Sequence, residues 1–314
     1  MWPVQLRLNE LSLMDNANNV ILCGFLLVKK EPSSKLMNLY LKTVLVENIK
    51  KLSSTGLIYN DEGKNIKFKM FLLLVTVDSK ARPVIQSRLQ FNAYYGCSWC
   101  YARGEYTNTM RYTFKFSDSK IRTDASHIQD LRKVMDYNLK NFNDVKGLCI
   151  LMQQPNFDPV WGFPIDILHC VCLGVTKQFW DNWTQTNSPF YINNNKQKIA
   201  NKKLLNFQSP SEIHRSCRPF GPRIKKKGSE WLSWLLFFSI ICLQNILPDE
   251  DLCHFSILVK YVYTLSKKKT ITEEECLNCH RELLTFIGQC ELYYGINFMT
   301  FNVHSLLHLA YSVK

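Results

Sequence analysis

Apolar and polar positions alternate at the start of the chain. Trp2-Pro3-Val4-Gln5-Leu6-Arg7-Leu8 reads as a strand, and an apolar run from Val20 to Val28 follows a polar turn at Asn16 to Asn19. The two are expected to pair as a hairpin. From Ser33 to about Leu57 the period changes, and Leu36, Leu39, Tyr40, Val44, Val46 and Ile49 recur at helical spacing. Ser33 or Ser34 supplies an N-cap and Gly56 a stop. Met70 to Val77 is an almost unbroken run rich in Leu and Val, which predicts a strand buried on both faces of a sheet. Asp78 stands at its C-terminal end, the edge at which open α/β sheets gather ligands and carboxylates.

Beyond Cys100 the pattern loses its regularity. Tyr101 to Ala125 is polar, basic and aromatic, and reads as a loop or irregular hairpin. Helical periodicity then predicts helices over Ser126 to Asn141, Ile165 to Trp183, Gly228 to Ile246, Asp249 to Ser266, Thr272 to Tyr293 and Asn302 to Val313. Thr272 before Glu273, Glu274 and Glu275 is a capping residue followed by negative charge where the helix dipole favours it. Thr186 to Lys203, rich in Asn, Gln and Lys, is expected to be a solvated surface loop. No internal repeat is present.

Composition alters this picture in three respects. The 314 residues, 46% of them hydrophobic, can bury one large core or two smaller ones. Lys and Arg number 39 against 26 Asp and Glu, a formal charge of +13. Such an excess favours a polyanionic partner, most commonly nucleic acid. There are twelve cysteines, but MWPVQLRLNELSL lacks the features of a secretory signal, so the thiols are read as reduced. The longest apolar segments, Val20 to Val28 and Trp231 to Leu243, fall short of the roughly 20 residues that span a bilayer. No membrane partner is expected.

The candidate chemistry centres on sulfur and imidazole. Cys97-Ser-Trp-Cys100 follows a Gly turn at the spacing that lets two thiolates hold one zinc. His304-Ser-Leu-Leu-His308 places two imidazoles on one helix face, the best complement to the knuckle. The alternative is two buried thiols and two polar helix residues. Asp78 is either a turn cap or a Mg2+ ligand, and a two-metal phosphoryl-transfer site needs two or three such carboxylates. Cys276-Leu-Asn-Cys279-His280 matches a haem-attachment pattern but lies in an acidic amphipathic helix, so it reads as a core face, with a second zinc at His254 or Cys253 a minor alternative. Asp166 and His169 form an acid and an imidazole one turn apart, with a hydrogen-bonded core histidine favoured over a metal ligand. Arg218 to Lys227 is either a phosphate-contacting patch or a solvated helix approach.

Taken in order, these motifs resemble a known family. Trp2-Pro3-Val4-Gln5, Asp78-Ser-Lys-Ala-Arg82, Phe91-Asn92, Tyr95-Gly96-Cys97-x2-Cys100, Gly162-Phe-Pro-Ile-Asp166-x2-His169-Cys170, Ser229-Glu230-Trp231, Leu292-Tyr-Tyr-Gly295 and Asn302-Val303-His304-x3-His308 resemble the transposases of CACTA-like and Plavaka-like DNA transposons. The resemblance implies a ribonuclease-H-like DDE domain interrupted by a helical insertion and served by two Mg2+ ions. It implies that Asp78 is the second acid of the triad and that Cys97, Cys100, His304 and His308 hold a structural zinc. The first Asp and the Glu of that triad are not found in this sequence, so the Mg2+ site is expected to be incomplete and the chain inactive on its own.

The expected fold is therefore α/β. An incomplete ribonuclease-H-like core lacking its first strand covers residues 1–125 and carries the knuckle. An all-α insertion covers 126–285, and a C-terminal helix with the His pair returns over 286–314. The expected function is that of a transposon-derived protein, binding DNA in the nucleus through its basic surface, with homo-oligomerisation open. The alternative is a zinc-stabilised protein-interaction module without a nucleic-acid role.

Overall fold

In the computed structural model the described residues are 1–11, 19–207, 217–221, 223–266 and 270–313. They form a mixed α/β protein, about 49% helical with small sheets. The chain divides into two compact units, residues 1–90 with 122–163, and residues 91–121 with 164–314. These boundaries differ from a division at 125 and 285. Two local attachments account for the difference: Arg122 is ion-paired with Asp130 within the first unit, while the cysteine knuckle meets the C-terminal histidines within the second.

In the first unit, Trp2–Leu6 (β1) and Ile21–Leu26 (β2) pair antiparallel as the alternation predicts, with a register shift between Val4 and Gln5. The connecting turn expected at Asn16 to Asn19 falls largely outside the described residues. The helix that follows runs as Ser34–Leu41 (α1), a π-helical Lys42–Val46, and Glu47–Ser54 (α2). Ser33 caps it by accepting the Leu36 amide, and Gly56 ends it at φ +78°, a conformation that a side chain resists. Its inner face, Met37, Leu41, Leu45, Val46 and Ile49, forms the core with Val84, Ile85, Leu151, Phe157 and Phe163. Leu57–Asp61 (β3) and Lys64–Phe68 (β4) make a second hairpin. Ala81–Ile85 (α3) and Asp124–Asp136 (α4) complete the regular elements of this unit above one turn.

The buried strand expected at Met70 to Val77 does not form. Leu72, Val75 and Val77 pack against the core, but Leu73 and Leu74 remain 58% and 57% exposed. The reason is the absence of neighbours: the sheets among the described residues have two strands each, and none pairs this segment. Its amides at Met70 and Val75 bond instead to the carbonyls of Leu52 and Gly162. An apolar run is necessary for a doubly covered strand, but a covering layer on each face must also exist.

The second unit is helical apart from one short hairpin, Glu105–Thr107 (β5) with Thr109–Arg111 (β6). The expected helices form, with π-helical turns at Leu168–Thr176 and Trp234–Phe238, except that Asn302 to Val313 is only a short helix, Phe301–Ser305, followed by 3-10 turns. The longest are Asp249–Leu265 and Glu273–Tyr294, the latter begun by the Thr272 and Glu275 capping box. Phe179, Trp183, Phe255, Phe286 and Phe298 pack ring on ring at their centre. One loop is corrected: within the stretch Thr186 to Lys203, expected to be a solvated surface loop, a helix capped by Asn193 begins and runs over Asn194–Asn206, because Ala200 and Leu204 bury one face that the polar composition conceals. No described helix is long and apolar enough to cross a membrane.

Candidate metal centre

The knuckle and the C-terminal turn meet inside the second unit. Thr300 accepts the Val303 amide and starts Phe301–Ser305, which runs on into a 3-10 turn, Leu306–His308. His304 and His308 thereby project toward one point. On the other side, the Gly96 amide bonds to the Ala93 carbonyl, turning the backbone tightly ahead of Cys97. The Ala102 amide donates to Cys100 Sγ at 3.4 Å, orienting that thiolate from behind. Cys97 Sγ lies 3.5 Å from His308 Nε2, and Cys100 Sγ lies 3.3 Å from His304 Nε2. All four donor atoms lie within 4.8 Å of one another, and all four residues are buried.

These distances can be tested against a metal. With Zn–S at about 2.3 Å and Zn–N at about 2.0 to 2.1 Å, the S···N edge of a tetrahedron is about 3.5 Å. The two S···N edges match it, so the four donors are spaced as a tetrahedral ion would require. Two thiolates with two imidazoles form a donor set that suits zinc. An ion held by all four would have no position left for substrate, the arrangement of structural rather than catalytic zinc sites.

Electrostatics agree with this geometry. Burial alone raises a thiol, and it pushes Cys149 and Cys172 up to about 12 and Cys242 up to about 11. Cys97 is equally buried, yet its hydrogen bond with Cys100 and the charges of His308 and His304 outweigh burial and hold it well below the usual thiol range. Burial likewise lowers His308, against the opposing pull of Cys97. Aromatic rings enclose the centre: Tyr112 stacks on His304 at 4.9 Å and Trp99 tilts over His308 at 5.8 Å.

Two supports went unnoticed in the sequence. Tyr112 donates its hydroxyl to the carbonyls of Phe91 and Ala93, fixing the approach to the knuckle. His280 donates Nδ1–H to the Leu307 carbonyl, holding the turn that bears the histidines. His280 follows Cys276 and Cys279, which are buried core residues as expected. A histidine beside an apolar helix face was the available signal for it.

The other candidates are placed differently. Asp78, in the first unit, accepts the amides of Lys80 and Ala81 at 3.0 and 2.7 Å through Oδ1, and so begins α3. His254 is buried in the aromatic cluster and donates Nε2–H to the Phe286 carbonyl, while Cys253 is exposed. Among the described residues the knuckle and His pair form the one cluster suited to a metal. His169 is not a core residue: its side chain is 48% exposed and pairs with Asp166 at 2.5 Å, because Asp166 caps the start of the helix at the surface. In the basic segment, Arg218 forks onto buried Glu230 and Lys226 is enclosed beside Cys217, which leaves Arg223, Lys225 and Lys227 exposed.

Comparison with known proteins adds no relative: no family model matches the sequence, and no characterised protein matches it.

Proposed function

We propose that this chain is a transposon-derived DNA-binding protein, related to the DDE transposases of CACTA-like and Plavaka-like elements, with a structural zinc and no strand-cleaving activity of its own. The observation that carries the reading is the convergence of Cys97, Cys100, His304 and His308, in which partners 204 and 211 residues apart meet at tetrahedral spacing. That ligand set and its order are what the resemblance specifies. The net charge of +13 supports DNA as partner, and a DNA partner supports a nuclear location.

The surroundings of Asp78 support the inactive reading. Its carboxylate caps a turn, and no cluster of acids gathers beside it among the described residues. Two Mg2+ ions need several carboxylate oxygens at near-octahedral geometry. A ribonuclease-H-like core is the fold this reading assigns to the first unit, with β1, β2 and the Met70 to Val77 segment as its remnants.

Binding to duplex DNA as a function of salt is the test. Phosphate contacts make affinity fall steeply, with a slope of about −0.9 per contact on a double-logarithmic plot. A flat dependence, or no binding, overturns the DNA reading. Mg2+-dependent nicking that Asp78→Asn abolishes would overturn inactivity. The second reading, a zinc-stabilised interaction module, is favoured by one observation: Ile21, Leu22, Phe25, Leu73 and Leu74 of the first unit are all exposed. Zinc in the purified protein without salt-sensitive DNA binding would select it.

A further inference from the structure

A cavity of about 510 Å³ opens in the second unit beside the knuckle, lined in part by Tyr94, Arg103, Glu105, Tyr106, Lys115 and Phe116. We propose that it is a binding site for an unpaired nucleotide of single-stranded nucleic acid. The inference rests on the DNA reading above and deepens it, because it names the form of nucleic acid and the residues that would hold it.

The lining combines the two elements that single strands require, π-faces for bases and cations for backbone phosphates. Tyr94 and Tyr106 are 52% and 69% exposed, unlike the enclosed rings of the core. An exposed ring at a cavity wall offers a stacking platform. The Arg103 guanidinium lies 5.4 Å from the centroid of Tyr94, so a second planar group continues that platform. Lys115 sits over the Phe116 ring at 4.8 Å and is ion-paired with Glu105 across the lining. An incoming phosphate can take over Lys115, which frees the Glu105 carboxylate to accept from an N–H on the edge of a base, such as N3–H of thymine. A volume of about 510 Å³ lies within the range of roughly 300 to 1,000 Å³ that holds small organic ligands, and one nucleotide is of that class.

The cavity is rigidly built. The Gly104 amide donates to the Tyr94 carbonyl at 2.7 Å, tying its two walls together. A Cβ at Gly104 would come within 2.5 Å of Met110 Sδ, so a larger residue there would have to displace the Met110 side chain. Tyr112 fixes the segment leading to Tyr94 through the carbonyls of Phe91 and Ala93. A duplex offers no free π-face to these rings, whereas an unpaired base does.

The test is fluorescence anisotropy with the full chain, using a labelled oligothymidylate and a labelled duplex of equal length. Tyr106→Ala is expected to weaken oligothymidylate binding by about tenfold, the effect of losing one base stack, and to leave duplex affinity unchanged. Tyr106→Phe keeps the ring and is expected to bind as the wild type does. Tyr106 is a surface side chain, and an unchanged melting curve establishes that the variant is folded. If the wild type binds duplex but not oligothymidylate, or if Tyr106→Ala and Tyr94→Ala both bind oligothymidylate normally, the cavity proposal is overturned while the DNA reading stands. If neither probe binds, both fall.

Discussion

Removing the metal is the perturbation that separates a zinc centre from a packed cluster of thiols and imidazoles. A ligand held at 1,000 times its dissociation constant stabilises the folded state by about 4 kcal/mol. For a unit of ~180 residues, each kcal/mol moves the melting temperature by about 2 to 4 °C, so chelation should lower Tm by roughly 8 to 16 °C. His308→Ala removes a ligand and also a buried ring that faces Trp99 at 5.8 Å and His304 at 5.2 Å. Loss of that packing alone costs about 2 kcal/mol. The two contributions separate in a cycle: the variant should melt well below the wild type with zinc present, and the gap should shrink to the packing part when both are stripped. Metal analysis gives the stoichiometry, with one zinc per chain in the wild type and a substoichiometric amount in the variant. Co2+ exchanged into the site should give the visible absorption of a tetrahedral sulfur and nitrogen set. A wild-type protein that purifies without zinc, and whose Tm is indifferent to both chelator and added zinc, would refute the reasoning.

Three further outcomes follow from buried charge and close packing. Asp251 is fully buried and accepts the Tyr294 hydroxyl, and burial pushes its carboxyl up to about 6 from an ordinary 3.8. A raised acid favours folding only while protonated, so stability should fall as pH rises from about 4 to 6 and then level off; Asp251→Asn should remove that fall, about 3 kcal/mol at most by its shift, in denaturant titrations at pH 4 and pH 8. Glu230 is fully buried, and its hydrogen bonds from Arg218 hold its carboxyl down at about 2. Its stabilisation is present above the ordinary carboxylate value and is lost on acidification toward 2, so Glu230→Gln should cost on the order of 2 kcal/mol at neutral pH and flatten the acid limb of the Tm profile. Gly174 has Asn302 Nδ2 within 2.5 Å and the His169 carbonyl within 2.8 Å of where a Cβ would lie. Gly174→Ala should cost about 1 to 3 kcal/mol and displace the start of the histidine-bearing helix, read as lower Tm together with weaker zinc retention.

The candidate metal centre is legible because its signal is chemical and local twice over. A Cys-x2-Cys on a Gly turn and a His-x3-His on a helix each carry their own spacing, and only their meeting needed three dimensions. The hairpin of β1 and β2, the Ser33 cap and the Thr272 capping box were legible for the same reason, since each is written within a few residues. Met70 to Val77 failed because burial on two faces is a property of neighbours, and the segment's own sequence could not say that no strand would pair with it. Asn194–Asn206 failed in the opposite sense: two apolar residues, Ala200 and Leu204, sufficed to hold a helix that its Asn and Lys content disguised. His169, expected as a hydrogen-bonded core histidine, is instead held at the surface by Asp166 as part of a helix start. His280 and Tyr112 act on the centre through backbone carbonyls, and a contact of that kind leaves no spacing in the sequence.

The centre also determines how residues 91–121 are held. This excursion leaves the first unit at Gln90, joins the second, and returns at Arg122. Two kinds of attachment keep it there. One is the candidate metal site, through Cys97 and Cys100 to the histidine turn. The other is independent of metal: the Tyr112 amide bonds to the Met299 carbonyl at 3.0 Å, and the Phe114 amide to Glu291 Oε2 at 2.6 Å. Chelation should therefore open the excursion from one end only. In hydrogen exchange on the stripped protein, the amides of Tyr101, Ala102 and Gly104 and those of the His304 to Leu309 turn should lose protection first. Tyr112 and Phe114 should keep theirs, and the amides of α4 in the first unit should not change. Uniform loss across the second unit would mean that the metal supports the whole helical core instead of one end of the excursion. Unchanged protection at Ala102, whose amide points at a ligating sulfur, would mean that no metal was there to remove.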